Sequence, residues 1–309
     1  MSQNETAPAE TGMPADLRNA DLSGRSFASA SFANRDFSGA KLNGAAFDGA
    51  DLWGACLDGV MAGEASFVDA SAVGAKILNA SLIECQMARI NLAGADLTGS
   101  DLQGANLQHA NLSRARLENA NLSGADLTGA NLAEADFTGA RLSGAMFVRV
   151  DAPGAIFRNV TMEGSDAFFS DFSDTVFERA SLSGSRFDRS SFRGTRWVSV
   201  TASPALFEFV NLECSQILTS KLTLSSLRGA NLSSASLIGC DLQHVDLTWA
   251  VVDGLAANDC DATHARFPEM KAIVFTPRHA TAPLIEPKPL YRVAATHEDR
   301  HKLIETPRR

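Results

Sequence analysis

The dominant feature of this sequence is a large apolar residue at every fifth position, in one unbroken phase from Leu17 to Phe267. Of the 51 pentapeptides in this phase, 24 have Leu and 14 have Phe at the centre. A period of five fits neither the roughly 3.6 residues of a helical turn nor the alternation of a long strand, so the chain must bend once in each unit. The sequence therefore predicts a repeat array.

Each unit follows the pattern A(D/N)LxG, as in Ala95-Asp96-Leu97-Thr98-Gly99. Ala95 and Leu97 lie two positions apart and share one face of a short extended segment, whereas Asp96 faces the other way. The last position carries 21 of the 23 glycines. Glycine accepts the positive φ that the third residue of a type II turn requires. The small and large residues are thus predicted to be inside, and the acid or amide outside.

Four such units, each a short straight segment followed by a corner, are predicted to close one coil of a four-sided helix. Stacked coils then pair as parallel strands, and a strand spacing of ~4.8 Å gives about 13 coils of 20 residues in a rod on the order of 60 Å long. We expect Leu97 to lie between Ile77 and Leu117. An aromatic stack is expected from Phe137, Phe157, Phe177 and Trp197.

The uninterrupted A(D/N)LxG pattern over residues 15–270 resembles the pentapeptide-repeat family. This resemblance implies an all-β fold, a right-handed quadrilateral parallel β-helix. A helical-repeat fold would need units of about 30 residues or more, and the chain has none.

The two ends of the chain depart from the pattern. Residues 1–14 are predicted to be a disordered leader, and residues 271–309 a Pro-rich cap or tail with a short helix near residues 296–305. Because the pattern stops at Pro268 and prolines follow, we expect the tail not to continue the ladder. Arg25 and Arg35 occupy inward positions, which predicts a first coil that is distorted or partly open.

Cysteine usage and hydropathy predict a cytoplasmic protein. No stretch approaches 18 consecutive apolar residues, and the N-terminus has neither a basic nor a hydrophobic segment. Five cysteines without a signal peptide favour reduced thiols. Cys240 and Cys260 lie one coil apart, however, so a disulfide between them stays open as an alternative.

The sequence predicts that the protein is not an enzyme and has no cofactor or metal. Its outward carboxylates lie on a convex rod, without the cleft that tunes the pKa of a catalytic acid. Its glycines are explained by turns and match no nucleotide-binding motif. His297 and His301 are four residues apart in the predicted C-terminal helix, but no third ligand is near them in the sequence.

We therefore predict a non-enzymatic protein–protein interaction module or scaffold built on a rigid acidic rod. On one side of the coil the outward residues are Ser, Asp or Asn, with mostly small residues after the centre, which predicts a flat docking face. Its candidate residues are Asn91, Ala93, Asn111, Ser113, Asn131, Ala133, Asp151 and Asp171. The alternative is that the Asn ladder contributes stability alone.

Two partners follow from the resemblance. Quinolone-resistance members of the family mimic acidic DNA and bind DNA gyrase. Residues 1–270 hold 19 basic and 32 acidic residues, which fits that role, but outward residues such as Arg116 and Arg141 interrupt any acidic stripe. Other long members accompany bacterial type VI secretion systems, which implies an accessory or adaptor protein. We expect no direct nucleic-acid binding and no membrane contact, and a homodimer through an end coil remains open.

Overall fold

The computed structural model of the chain describes residues 16–268 and the backbone of residues 274–276. The predicted leader, the predicted helix near residues 296–305 and most of the predicted tail lie outside these residues, and those boundaries stay predictions. Within the described residues the chain forms a right-handed β-helix of four-sided coils, with parallel pairing between coils. The predicted fold class is confirmed. None of the described residues form a helix long and apolar enough to cross a bilayer.

Pairing joins each coil to the next at a distance of 20 residues. The first bridge joins Asp21 to Lys41, and bridges at this spacing continue to Asp246 and Arg266. On one side the bridges extend into a parallel sheet of short strands in sequential order. These strands are β1 (Ile156–Arg158), β2 (Val176–Glu178), β3 (Arg196–Val198), β4 (Gln216–Leu218), β5 (Ser236–Ile238), β6 (Ala256–Asn258) and β7 (Val274–Thr276). The total of about 13 coils depends on residues beyond the described range and stays a prediction.

The four sides of the rod are named here by their central residues. The first face runs from Leu17 to Ala257 and carries β1 to β6. The second face runs from Leu22 to Ala262, the third from Phe27 to Phe267, and the fourth from Phe32 to Val252. The predicted flat docking face is the fourth face.

The corners are the predicted type II turns. Every fifth residue from Asn19 to His264 has a positive φ, except Pro204, whose ring requires a negative φ and whose preceding peptide bond is cis. Across a typical corner the amide of Ala95 donates to the carbonyl of Leu92 at 2.9 Å. A positive φ at the third turn position together with this hydrogen bond identifies the turn type.

The core is a column of stacked central residues, as predicted. Leu97 is fully buried, in the ladder between Ile77 and Leu117. The rings of Phe137 and Phe157 stack with centroids 5.0 Å apart, and those of Phe157 and Phe177 at 4.7 Å. Trp197 pairs in register with Phe177, but its ring is tilted by 59°. The aromatic stack is therefore confirmed, with a tilt at its last ring.

Serine at the small inward position ties neighbouring coils together. The hydroxyl of Ser190 accepts a hydrogen bond from the amide of Ser170 at 2.9 Å and donates to the carbonyl of Ala167. Both partners belong to the preceding coil. Where the small residue of the next coil is Ala, the amide bonds inside its own turn: Ala130 follows Ala110 by one coil, and the Ala110 amide donates to the Leu107 carbonyl at 3.0 Å. A serine hydroxyl at the small inward position therefore exchanges one hydrogen bond within a turn for two hydrogen bonds between neighbouring coils.

Of the predicted distorted or partly open first coil only the open form is found, and the C-terminal end differs from the prediction. The first coil is not distorted, because Ser26 and Asp36 pair in regular register with the next coil. Arg25 is half-buried and Arg35 is exposed, since no described coil covers their inward positions. At the other end the ladder continues past Pro268: β7 pairs in parallel with β6, with Val274 opposite Ala256. This offset is 18 residues instead of 20, and the three residues of β7 all carry the backbone amide that a parallel ladder needs.

Candidate interaction surfaces

The fourth face carries a ladder of asparagines whose side-chain oxygens accept hydrogen bonds from backbone amides. Asn111 Nδ2 donates to Asn91 Oδ1 at 3.1 Å, and the Asn91 oxygen also accepts the amide of Ala93 at 3.2 Å. The Asn131 oxygen accepts the amide of Ala133 at 3.0 Å. The ladder therefore fixes the backbone of this face, which supports the interpretation of the Asn side chains as stabilising.

Small side chains between these asparagines form an open, shallow depression. Ala93, Ser113 and Ala133 line it together with the corner residues Arg114 and Glu134. Arg114 Nε lies 2.9 Å from Glu134 Oε2, so a basic side chain borders the face but is ion-paired across one coil. The structure thus brings the predicted Asn91, Ala93, Asn111, Ser113, Asn131 and Ala133 together on one surface.

The remaining predicted residues continue the same ladder toward the C-terminus. Asp151 bridges Asn131 on one side and Asp171 on the other. Asp151 is exposed, whereas Asp171 is half-buried and its Oδ1 accepts the amide of Ser173 at 2.9 Å. Beyond Ala133 the face becomes more acidic, so the uncharged part of the predicted face is limited to the coils of Asn91 to Ala133.

Several basic residues elsewhere on the rod are paired with acids of the same coil or a neighbouring one. Arg116 lies 3.0 Å from Asp96 and 3.1 Å from Glu118. Arg89 contacts Asp69 at 2.6 Å, and its hydrogen bond lowers the pKa of the Asp69 carboxyl. Because these carboxylates are neutralised locally, the first face and the edge near Asp69 present a mosaic of charges rather than an acidic stripe.

Small apolar voids lie in the part of the core that the structure describes. One is lined by leucines near Leu227 and Leu247, another by residues near Leu57 and Met87, and each has a volume of about 10 Å³. That volume holds at most one water molecule. Burial also raises the pKa of the Cys85 thiol to about 12, which removes its nucleophilic character at neutral pH. These interior features offer no room for a substrate.

Sequence analysis missed an aromatic feature on the edge between the third and fourth faces. Phe169, Phe209 and Trp249 occupy corner positions on this edge and are 56%, 49% and 68% exposed. The sequence did contain a signal for this feature: the repeat favours Gly or Asn at the corner position, whereas Phe169, Phe209 and Trp249 are bulky aromatic residues. Aromatic residues outside the central phase follow neither the five-residue period nor the charge pattern, so neither pattern pointed to them.

Comparison with solved structures found pentapeptide repeat proteins of low sequence identity to this chain. HetL, a pentapeptide repeat protein involved in heterocyst differentiation regulation from Nostoc sp. strain PCC 7120, is 22% identical over 80% of this chain and 91% of its own, with a TM-score of 0.26. Full-length QnrB1, a plasmid-mediated fluoroquinolone resistance protein, is 20% identical over 63% of this chain and 85% of its own, with a TM-score of 0.29. No curated protein sequence matches the chain.

The family model for pentapeptide repeats matches this chain in 8 copies. The matched segments are residues 15–54, 85–124, 125–164, 170–196 and 220–254. Together they cover more than half of the sequence and coincide with coils whose geometry is described above. The chain belongs to the pentapeptide repeat family.

Proposed function

We propose that this protein is a non-enzymatic binding module that presents a rigid surface to a protein partner in the cytoplasm. The observation that carries the proposal is the uncharged part of the fourth face, where Ala93, Ser113 and Ala133 line one open depression. Small side chains have little rotamer entropy to lose, and the Asn ladder already holds the backbone in place. A partner that docks on this face would therefore lose little affinity to ordering of the rod.

The proposal can be tested by substituting two small residues of this face with large charged residues, which would block a docked partner. We expect Ala93→Arg combined with Ala133→Arg to abolish partner recovery in affinity purification from the native host. The matched control is Ser123→Arg with Ser143→Arg, which changes two half-buried post-centre residues of the second face. Both variants should keep the thermal transition of the unchanged protein, since neither alters a buried residue.

Partner recovery that is equal for both variants would exclude the fourth face as the docking surface. A third arm, deletion of residues 271–309, separates a tail-mediated contact from one made by the rod. Loss of the partner in this arm alone would assign the contact to the tail and favour an adaptor of a secretion apparatus.

A second candidate function is mimicry of acidic DNA toward DNA gyrase. The excess of 32 acidic over 19 basic residues in residues 1–270 favours it. Local pairing such as that of Arg116 with Asp96 weakens it, because paired carboxylates offer less charge to a DNA-binding surface. Inhibition of gyrase supercoiling by the purified protein that weakens as salt is raised would support mimicry, and no inhibition would exclude it.

A further inference from the structure

The edge between the third and fourth faces changes character along the rod. Its early corners are polar and include Asp69, Arg89 and His109. Its late corners carry Phe169, Arg189, Phe209 and Trp249, and these four residues are called the aromatic edge. The three rings are among the most exposed large apolar side chains in the described part of the chain.

These aromatics occupy an unfavourable backbone conformation without gaining burial. Phe169, Phe209 and Trp249 have φ values of 57°, 56° and 64°. A left-handed conformation costs free energy for any residue with a Cβ atom, and most for bulky ones. Glycine or asparagine would serve the turn better. The turn therefore does not explain the rings, whereas a partner that buries them would.

Two arginine side chains lie against these rings. The guanidinium carbon of Arg189 lies 5.9 Å from the ring centre of Phe169 and 5.3 Å from that of Phe209. Arg228 lies 4.6 Å from the ring centre of Trp249. Within residues 16–268 neither arginine forms an ion pair, whereas Arg89 on the same edge pairs with Asp69 at 2.6 Å. The N–H groups of Arg189 and Arg228 thus remain available to a carboxylate from outside.

The Phe209 ring is also fixed in place by the next coil. A methyl group added to Gly229 would lie 2.5 Å from Cδ1 of Phe209, so the ring rests on the glycine backbone. Gly229 provides this space because it has no Cβ. The edge therefore presents preformed ring faces with guanidinium groups between them.

We propose that the aromatic edge binds an acidic amphipathic helix of a partner protein. Successive coils are ~4.8 Å apart, so Phe169, Phe209 and Trp249 recur about every 10 Å. Seven residues of an α-helix span ~10.5 Å, and one turn spans ~5.4 Å. A helix along the edge thus places apolar side chains at every seventh residue over the rings and acidic side chains one turn away near Arg189. An extended strand, whose same-side residues recur every ~6.7 Å, loses register within two coils.

Charge excludes the competing occupants of this edge. Asp188, Glu208 and Asp246 lie on the neighbouring third face and oppose the phosphates of a single-stranded nucleic acid, which carries charge at every nucleotide, whereas a helix can confine its carboxylates to positions that face the arginines. The chain's own tail, residues 271–309, holds eight basic and four acidic residues and would face Arg189 with like charge. A second copy docked edge to edge would oppose arginine with arginine. An acidic helix has the complementary charge and the matching repeat.

The proposal rests on the proposed role in protein binding but uses a different surface, so it can fail separately. The probe is a synthetic helix of about 20 residues with Leu at every seventh position and Glu one turn from each Leu. Fluorescence anisotropy with the purified full chain should show saturable binding. A probe with Lys in place of Glu should bind about tenfold more weakly or not at all.

Variants with matched controls locate the site. Phe209→Asn and Arg189→Gln should each weaken probe binding about tenfold, because ring and arginine anchors dominate such contacts. Their controls are His109→Asn and Arg89→Gln on the same edge, which should leave binding unchanged, as should Ala93→Arg with Ala133→Arg. Asn is chosen because it occupies corners with positive φ elsewhere, as at Asn119 and Asn159.

Three results would overturn the proposal. One is equal binding of the Glu and Lys probes, and another is binding that survives Phe209→Asn. The third is no probe binding, or preferential binding of a single-stranded oligonucleotide, which would assign the edge to another ligand. None of these results bears on the fourth face, whose own test is partner recovery.

Discussion

The coils of residues 92–132, called the Leu segment, and those of residues 165–207, called the aromatic segment, share one backbone conformation but differ in their core side chains. In the first segment all nine centres are Leu, and the small positions are mostly Ala. In the second, Phe dominates the centres, and Ser or Thr occupies most of the small positions. Leucine stacking relies on apolar contact alone, whereas the aromatic segment adds ring stacking and hydroxyl bonds between coils. The comparison shows that the five-residue register tolerates two ways of holding adjacent coils together.

The largest expected effect comes from truncating a central residue in each segment. Phe177 contacts the rings of Phe157, Phe172 and Phe192, and all four are fully buried. We expect Phe177→Ala to lower the free energy of unfolding by about 3–5 kcal/mol and Leu117→Ala by about 2–5 kcal/mol, with Phe177 the more costly. Equilibrium denaturation measures both. A greater loss for Leu117→Ala would mean that the aromatic segment is the more weakly packed of the two.

Overfilling the small position should be the next largest effect. Ala115 is buried in the Leu segment, whereas Thr128 is half-buried on the surface of the third face. We expect Ala115→Leu to cost about 1–3 kcal/mol and Thr128→Leu less than about 0.5 kcal/mol. Thermal unfolding of both variants checks the assignment of inside and outside. Equal losses would show that this assignment is mistaken.

The hydrogen bonds that serine hydroxyls make between coils can be tested at two serines. Ser185 lies in the aromatic segment, and Ser215 lies in the coil after it. Ser185 accepts the amide of Ser165 at 3.2 Å and donates to the carbonyl of Met162. Ser185→Ala removes both bonds between the coils and leaves the Ser165 amide only the Met162 carbonyl of its own turn, so we expect a loss of about 0.5–1.5 kcal/mol in denaturant unfolding.

The matched control is Ser215, whose buried hydroxyl has no hydrogen-bond partner. The equivalent acceptor, the Phe192 carbonyl, already accepts the hydroxyl of Thr195 at 2.7 Å. Ser215→Ala should therefore be neutral or slightly stabilising. A similar loss for Ser185→Ala and Ser215→Ala would show that the hydroxyl bonds add nothing to the aromatic segment.

The smallest effect concerns a carboxylate of the third face near the aromatic edge. Burial raises the pKa of Asp188, so its ionised form is disfavoured in the folded state. Stability from this group is present below the unfolded pKa and is lost as pH rises through the folded pKa. Asp188→Asn keeps the acceptor for the Glu208 amide and should raise the melting temperature relative to the unchanged protein more at pH 7 than at pH 3. A constant difference across that range would contradict the assignment.

The fold followed from the sequence because one period governs every coil. The corner conformation, the parallel register and the buried ladder near Leu97 all depend on the same five-residue phase. The continuation at β7 was missed because Pro268 was treated as the end of the ladder, although a proline removes only its own amide. The hydroxyl bridge at Ser190 depends on which residue lies 20 positions earlier, and the sequence pattern treated Ser as a substitute for Ala.

The candidate site was only partly predictable. The Asn ladder at Asn91 and Asn111 repeats with the coil and was found from the sequence, together with its small neighbours. The aromatic edge was not, because Phe169, Phe209 and Trp249 violate the corner preference instead of following it. Residues that depart from a repeat carry the information that the repeat itself cannot supply.

The most direct test of binding through this rod is photocrosslinking in the native host. A photoreactive phenylalanine analogue replaces Phe209 in one strain and His109 in another, two exposed corners of the same edge. The account predicts a covalent adduct with a protein at position 209 but not at 109, mapping by mass spectrometry to an acidic amphipathic helix. Equal adducts at both positions, or none at position 209, would contradict it.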